Sequence, residues 1–230
     1  MKITHGWDLI CLNQLGNLVA VMEKEADCDQ IIVFNTTNEN LYNFIPKMMD
    51  KIMSENNIVV WSNDSFLSWS DFEAESNPAV FEDSHSVIKY RYTWTVNSDN
   101  KENEILFFIE NIQLSVEFHP VLSWVRLSQT NDDLLKHEQG HFDLAELIKR
   151  ENLEKLQNKF HEKRFPTRGK NEEQRKQFAK EDSGKMIAKE VEKLEQILLQ
   201  RRNEYDEQTN FGQNLEKQLD YNSIFNKLKL

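Results

Sequence analysis

The stretch HEQGH, from His137 to His141, places two histidines and a glutamate within five residues. Histidines four positions apart on an α-helix point the same way, so both imidazoles can bind one metal ion. A glutamate between them can reach a water molecule beside that metal and accept its proton. The pattern His-Glu-x-x-His therefore predicts that His137 and His141 bind zinc and that Glu138 is a general base.

The alternative interpretation is a pair of core histidines that hydrogen-bond to buried partners. On a helix, Leu134, His137, His141, Leu144 and Ile148 share one face, which puts both histidines in the centre of an apolar stripe. Polar residues are rarely buried together without a partner, and this favours a shared metal ligand over two independent core residues.

Gly140 lies inside the same predicted helix. A glycine in a helix interior costs up to about 1 kcal/mol relative to alanine. We predict that backbone or substrate passes where its Cβ would lie, which would compensate for that cost. The alternative is a tolerated glycine without a role.

A catalytic zinc site takes a third protein ligand and keeps a fourth position for water. The candidates are His119, His161, Glu146, carboxylates of a later helix, and Asp206. Glu146 lies about 140° round the helix from His141 and so points away from the metal. The charged surroundings of His161 favour a solvated side chain. Asp206 follows the apolar stripe of the later helix, and an element packed on the histidine helix could bring it to the metal. We therefore predict Asp206 as the third ligand, with the alternative that it only caps or solvates the turn.

Strand patterns precede the histidine helix. VIKYRYTWTV alternates and is rich in β-branched and aromatic residues, EILFFIENIQLSVEF ends with a period-two alternation, and VLSWVRLS follows Pro120. Because strands come before helices, the order predicts an α+β fold with an antiparallel sheet followed by long helices. We expect a strand among residues 105–128 to run beside the histidine helix, where it could pair with an extended substrate.

Two long helices and a short one are predicted after the strands. The first covers residues 130–160, with Thr130 or Asn131 as its cap. The second covers residues 181–205, after the loop RFPTRGKN. Its apolar stripe consists of Ile187, Val191, Leu194 and Leu198. DEQTNFGQN is predicted to be a turn before a short last helix.

Composition limits the possible partners. The chain has 230 residues and a net charge of −11, which argues against nucleic acid because phosphate binding needs a basic surface. No segment is apolar enough to span a membrane, and no signal peptide is visible at the N-terminus. Cys11 and Cys28 could pair in an exported protein or stay reduced. We expect residues 1–60 to form an extension or small subdomain, and residues 61–230 the main domain.

The sequence resembles an uncharacterised family of bacterial domains that are classed as secreted zinc-dependent proteases and are similar to zincins. The resemblance runs from about Trp69 to the C-terminus and is carried by SWV, LLKHEQGHFDLAE and YDEQTNFGQNLEKQ, with HEQGHFD as the most specific block. It implies a zincin-like active-site helix, with His137 and His141 as metal ligands and Glu138 as general base. It also implies a secreted or periplasmic location.

The C-terminal block of the resemblance contains one departure. Tyr205, Asp206, Thr209 and Gly212 match the expected pattern, but Phe211 stands where a histidine is expected. If that histidine binds metal or substrate in the family, this chain lacks it, and Asp206 could be the third ligand, as in zincins that use an aspartate. Otherwise the site is altered.

These patterns favour a zinc-dependent hydrolase, specifically a peptidase that acts on polypeptides. The alternative is a catalytically degenerate zincin that binds metal or a protein partner without turnover, and Phe211 is the residue that motivates it.

Overall fold

The structure of the protein is a computed structural model that describes residues 58–80, 82–101 and 104–230, together with the backbone of three strands among the first 57 residues. The chain divides into two compact units, Met1–Met53 and Ser54–Leu230. The segment ENLYNFIPKMMDKIMSENN, residues 39–57, has a helical sequence pattern, but it lies outside the described residues, as do the side chains of both cysteines.

The first unit contains a three-stranded antiparallel sheet. Its strands are β1 (Trp7–Leu12), β2 (Leu18–Glu25) and β3 (Cys28–Val33), and β2 lies between the other two. Cys11 belongs to β1 and Cys28 to β3, so the two cysteines lie on the outer strands of this sheet.

The second unit has the predicted α+β architecture, with antiparallel sheets and three described helices. Its strands are β4 (Val59–Val60), β5 (Ser84–His85), β6 (Ile88–Lys101), β7 (Glu104–Phe118), β8 (Trp124–Val125) and β9 (Phe165–Pro166). Its helices are α1 (Asp132–Phe160), α2 (Glu172–Thr209) and α3 (Leu215–Asn226). None of the described helices is long and apolar enough to cross a membrane.

Strand β7 is the centre of the main sheet. It pairs with β6 along one edge, and with β9 and β4 near the two ends of its other edge. The buried positions change from odd to even numbers along β7, from Ile109 to Ile112. A register shift and a positive φ of 52° at Asn111 account for this change, because one extra residue moves the following side chains to the other face.

Helix α1 packs on β7 and is buried over most of its circumference near the middle. Phe142, Ala145 and Ile148 have no accessible surface, and the Tyr90 hydroxyl donates a hydrogen bond of 2.9 Å to the Ala145 carbonyl. The buried surface of α1 is therefore wider than the single apolar stripe that the sequence predicted. Helices α2 and α3 cover the sides of α1 that the sheet leaves open. Of the two predicted caps, Asn131 is the one that begins the helix, because its side chain accepts from the backbone N–H groups of Asp133 and Leu134.

Three predicted element boundaries are wrong. Helix α2 begins at Glu172 instead of residue 181, because Asn171 caps it and its first turns are polar. It also ends later than predicted, at Thr209. The strand predicted from VLSWVRLS is only two residues long, because short 3₁₀ helices at Pro120–Leu122 and Leu127–Gln129 flank it.

Candidate metal centre

Helix α1 buries the three residues of the His-Glu-x-x-His pattern. His137 and His141 are each 2% exposed and Glu138 is 3% exposed. One potential ligand atom from each of the three lies within 4.8 Å of the others, so the cluster could hold a metal ion.

Helix α2 brings Asp206 to this cluster from its last turn. The Oδ1 atom of Asp206 lies 3.2 Å from Nε2 of His137 and 3.1 Å from Nε2 of His141. The same atom is buried, and it has no geometrically defined hydrogen bond among the described residues, so the two imidazoles are its nearest polar neighbours. Ligand atoms about 2.05 Å from a tetrahedral zinc are separated by about 3.3 Å. The two distances from Asp206 Oδ1 to the imidazole nitrogens therefore match those between ligand atoms of a small four-coordinate cation.

The far side of the His137 ring supports the same interpretation. Nδ1 of His137 lies 3.3 Å from Gln218 Oε1 and 3.3 Å from Thr209 Oγ1. The Thr209 hydroxyl already donates to the carbonyl of Tyr205, at 2.7 Å, so toward His137 it can only accept. With a cation at Nε2, the proton of His137 would lie on Nδ1, where Thr209 Oγ1 and Gln218 Oε1 can accept it. Metal-binding histidines are commonly oriented in this way by a partner on the other nitrogen.

The charges of the cluster also suit a cation. Burial lowers the pKa of His141 to about 4, and the positive charge of Arg202 contributes, so this imidazole is neutral at pH 7. Burial alone would raise the pKa of Asp206, but the two adjacent imidazoles hold it well below its ordinary value. The neutral imidazole of His141 and the ionised carboxylate of Asp206 then face the same point, where they could share a cation.

Glu138 lies beside this point and is held in place by a hydroxyl. Its Oε1 accepts a 2.6 Å hydrogen bond from Ser84 Oγ, while Oε2 is buried without a hydrogen-bond partner among the described residues. Burial would raise the pKa of Glu138, but the neighbouring Ser84 and Ser86 hydroxyls help to lower the pKa below its ordinary value. The carboxylate is therefore ionised at neutral pH and has one oxygen available to accept a proton.

Gly140 is explained by the side chain of Tyr205. A Cβ on Gly140 would lie 2.1 Å from Tyr205 Oη and 2.8 Å from Tyr205 Cζ. The Tyr205 ring stacks on His137, with centroids 4.7 Å apart, and meets His141 edge-on at 5.1 Å. The predicted close approach is present, but a side chain makes it instead of backbone or substrate.

The cluster opens into a cleft of about 850 Å³. Its lining combines polar and acidic side chains with apolar ones and includes Glu82, Asp83, Ser84, His85, Leu134, Leu199, Phe211 and Leu215. Phe211 is 53% exposed at a positive φ of 53°, a backbone conformation that bulky residues rarely adopt. The residue that departs from the expected histidine therefore lies on the rim of the cleft.

The other candidate ligands do not reach the cluster. His161 is exposed beside Glu162, in agreement with its charged surroundings. Glu146 is buried and pairs with Lys149 at 2.7 Å and Arg150 at 2.8 Å, so it points away as predicted. Nε2 of His119 lies 3.9 Å from Oε2 of Glu117, and His119 does not line the cleft.

Three residues of the site were missed by sequence reasoning, namely Ser84, Arg202 and Gln218. None has a motif or a periodic position, and each reaches the cluster only through tertiary packing.

No protein-family model, curated protein or solved structure matches this chain. The resemblance to zincin-like secreted proteases therefore stays a prediction, and the geometry of the site carries the functional argument.

Proposed function

We propose that the protein is a zinc-dependent hydrolase, specifically a peptidase, with His137, His141 and Asp206 as its zinc ligands. The observation that carries this proposal is the position of Asp206 Oδ1, within 3.2 Å of both imidazole Nε2 atoms at the base of a cleft. Bound zinc would supply Lewis acidity to a substrate carbonyl and would lower the pKa of water to about 7.

Glu138 is the residue that moves protons in this proposal. Its ionised carboxylate accepts a proton from the attacking water and then transfers it to the leaving amine. The hydrogen bond from Ser84 fixes one carboxylate oxygen, so the other, Oε2, is the atom that takes the proton.

A polypeptide is the substrate class that fits the cleft. Strand β5 (Ser84–His85) lines it and pairs only with β8 among the described strands, so its second edge could pair with an extended chain. The strand that we expected among residues 105–128 does run beside α1, as β7, but the cleft is lined by β5 instead.

A second candidate function is a degenerate zincin that binds metal or a protein without turnover. Phe211 favours it, since an exposed phenylalanine stands where the resemblance leads us to expect histidine. The two functions differ in whether Glu138 can activate a water molecule to hydrolyse a bound polypeptide.

Hydrolysis of an unfolded protein distinguishes these functions. We expect zinc-loaded protein to cleave reduced and alkylated casein, chelation to abolish the cleavage, and added zinc to restore it. Peptide release is measured by mass spectrometry, and Glu138→Gln protein serves as the control for contaminating proteases. A protein that holds zinc but releases no peptides would favour the degenerate function.

A further inference from the structure

We propose that Arg202 binds the oxyanion that forms on the substrate carbonyl during hydrolysis, an inference that rests on the proposed function. Arg202 is the only lysine or arginine among the described residues that line the cleft. It lies four residues before Asp206 on α2, so both side chains project from the same face of the helix, about 6 Å apart along its axis.

The guanidinium of Arg202 is anchored but mostly unused. Its Nη1 donates a 2.8 Å hydrogen bond to the carbonyl of Ser86. It forms no ion pair with a carboxylate in the described part of the chain, whereas its neighbour Arg201 pairs with Glu151. A guanidinium has five N–H donors, so several remain available for an anion in the cleft.

The charges around Arg202 indicate which anion it binds. Glu82, Asp83 and Asp133 line the same cleft and would repel a ligand that is negatively charged before it enters, such as a free C-terminal carboxylate. A charge that develops only in the transition state, beside the metal-binding atoms, avoids this repulsion until the reaction begins. A fixed cation that meets such a charge lowers the barrier more than it strengthens substrate binding.

The hydrogen bond to Ser86 gives Arg202 a second possible role. It holds the segment that carries Ser84, and Ser84 in turn holds Glu138. Removal of Arg202 could therefore reduce turnover by displacing Glu138. A test of oxyanion binding therefore needs a measurement that does not depend on the position of Glu138.

Arg202→Met and Arg202→Lys, with Arg201→Met as the matched control, supply that test on the zinc-loaded full chain. Two properties are measured: kcat and KM on casein peptides, and the affinity for N-phosphoryl-leucinamide, whose tetrahedral anion resembles the transition state. The acidic lining repels this anion equally in every variant, so the ratio of affinities reports on Arg202 alone. We expect Arg202→Met to lower kcat by about 10²–10³-fold and to lower the affinity for the phosphoramidate by a similar factor. KM and zinc content should stay unchanged. Arg202→Lys should restore part of both losses, and Arg201→Met should resemble wild type.

The outcomes separate this inference from the proposed function. Full phosphoramidate affinity in Arg202→Met, with or without a loss of kcat, would overturn oxyanion binding and leave the anchoring role. Loss of zinc in that variant would also overturn it. If wild-type protein holds zinc but neither hydrolyses peptides nor binds the phosphoramidate, the proposed function fails and this inference fails with it.

Discussion

Glu138→Gln is expected to lower the rate of peptide hydrolysis by about 10²–10⁴-fold, the range that a general base usually contributes. The amide has nearly the same shape as the carboxylate, and its oxygen can still accept from Ser84 Oγ. The amide, unlike the carboxylate, cannot accept a proton from water at neutral pH. Zinc should stay bound, because the three proposed ligands are unchanged.

The control for this substitution is Glu146→Gln. Glu146 is a buried glutamate of the same helix, but it pairs with Lys149 and Arg150 outside the cleft. We expect this variant to cleave at the wild-type rate once differences in folded fraction are corrected. Wild-type cleavage by Glu138→Gln protein would show that the activity has another source.

Gly140→Ala is expected to destabilise the protein by at least about 1–3 kcal/mol, although alanine favours helix more than glycine does. The added Cβ would overlap Tyr205 Oη and Cζ and would approach Phe225 Cε2 to 3.2 Å. Tyr205 is fully buried and hydrogen-bonded to Gln218, so it cannot move without disturbing the partner of His137. Zinc affinity should therefore fall together with stability.

Gly184→Ala is the matched control, on a helix interior position of α2. Its Cβ would meet only the ring edge of Trp94, at 3.3 Å, so helix propensity should roughly offset the contact. Urea unfolding with a comparison of midpoints and slopes measures both variants. A Gly140→Ala protein as stable as wild type, with full zinc content, would contradict the proposed role of Tyr205.

Local patterns predicted the elements that carry the two histidines and the central strand. EILFFIENIQLSVEF coincides with β7, and Asn131 begins α1, because an alternating run and a capping side chain act within a few residues. The start of α2 was missed because its first turns are polar and exposed, and only the cap at Asn171 marks them. Strand β8 is short because 3₁₀ helices flank it, and the Ser123 side chain beside it accepts from the Val87 N–H and donates to the His119 carbonyl, contacts that leave no sequence pattern.

The site was predictable only where its residues share one helix. His137, Glu138 and His141 follow from helical spacing alone. Asp206 was the residue favoured among several candidates, but its approach to the two imidazoles depends on the packing of α2 on α1, which spacing cannot specify. The reason for Gly140 lies 65 residues away, since the atoms that fill the missing Cβ position belong to Tyr205. Long-range contacts of this kind leave no local signal.

The most direct test of the metal centre is the zinc content of purified protein after dialysis, measured by mass spectrometry on wild type and variants. We expect about one zinc per chain in wild type, as two imidazoles and a carboxylate suffice for a catalytic site. His137→Ala and His141→Ala should each lose it, and Asp206→Ala should weaken binding far more than Glu146→Ala. Full zinc occupancy in the double variant His137→Ala/His141→Ala, or equal retention by Asp206→Ala and Glu146→Ala, would contradict the proposed ligands.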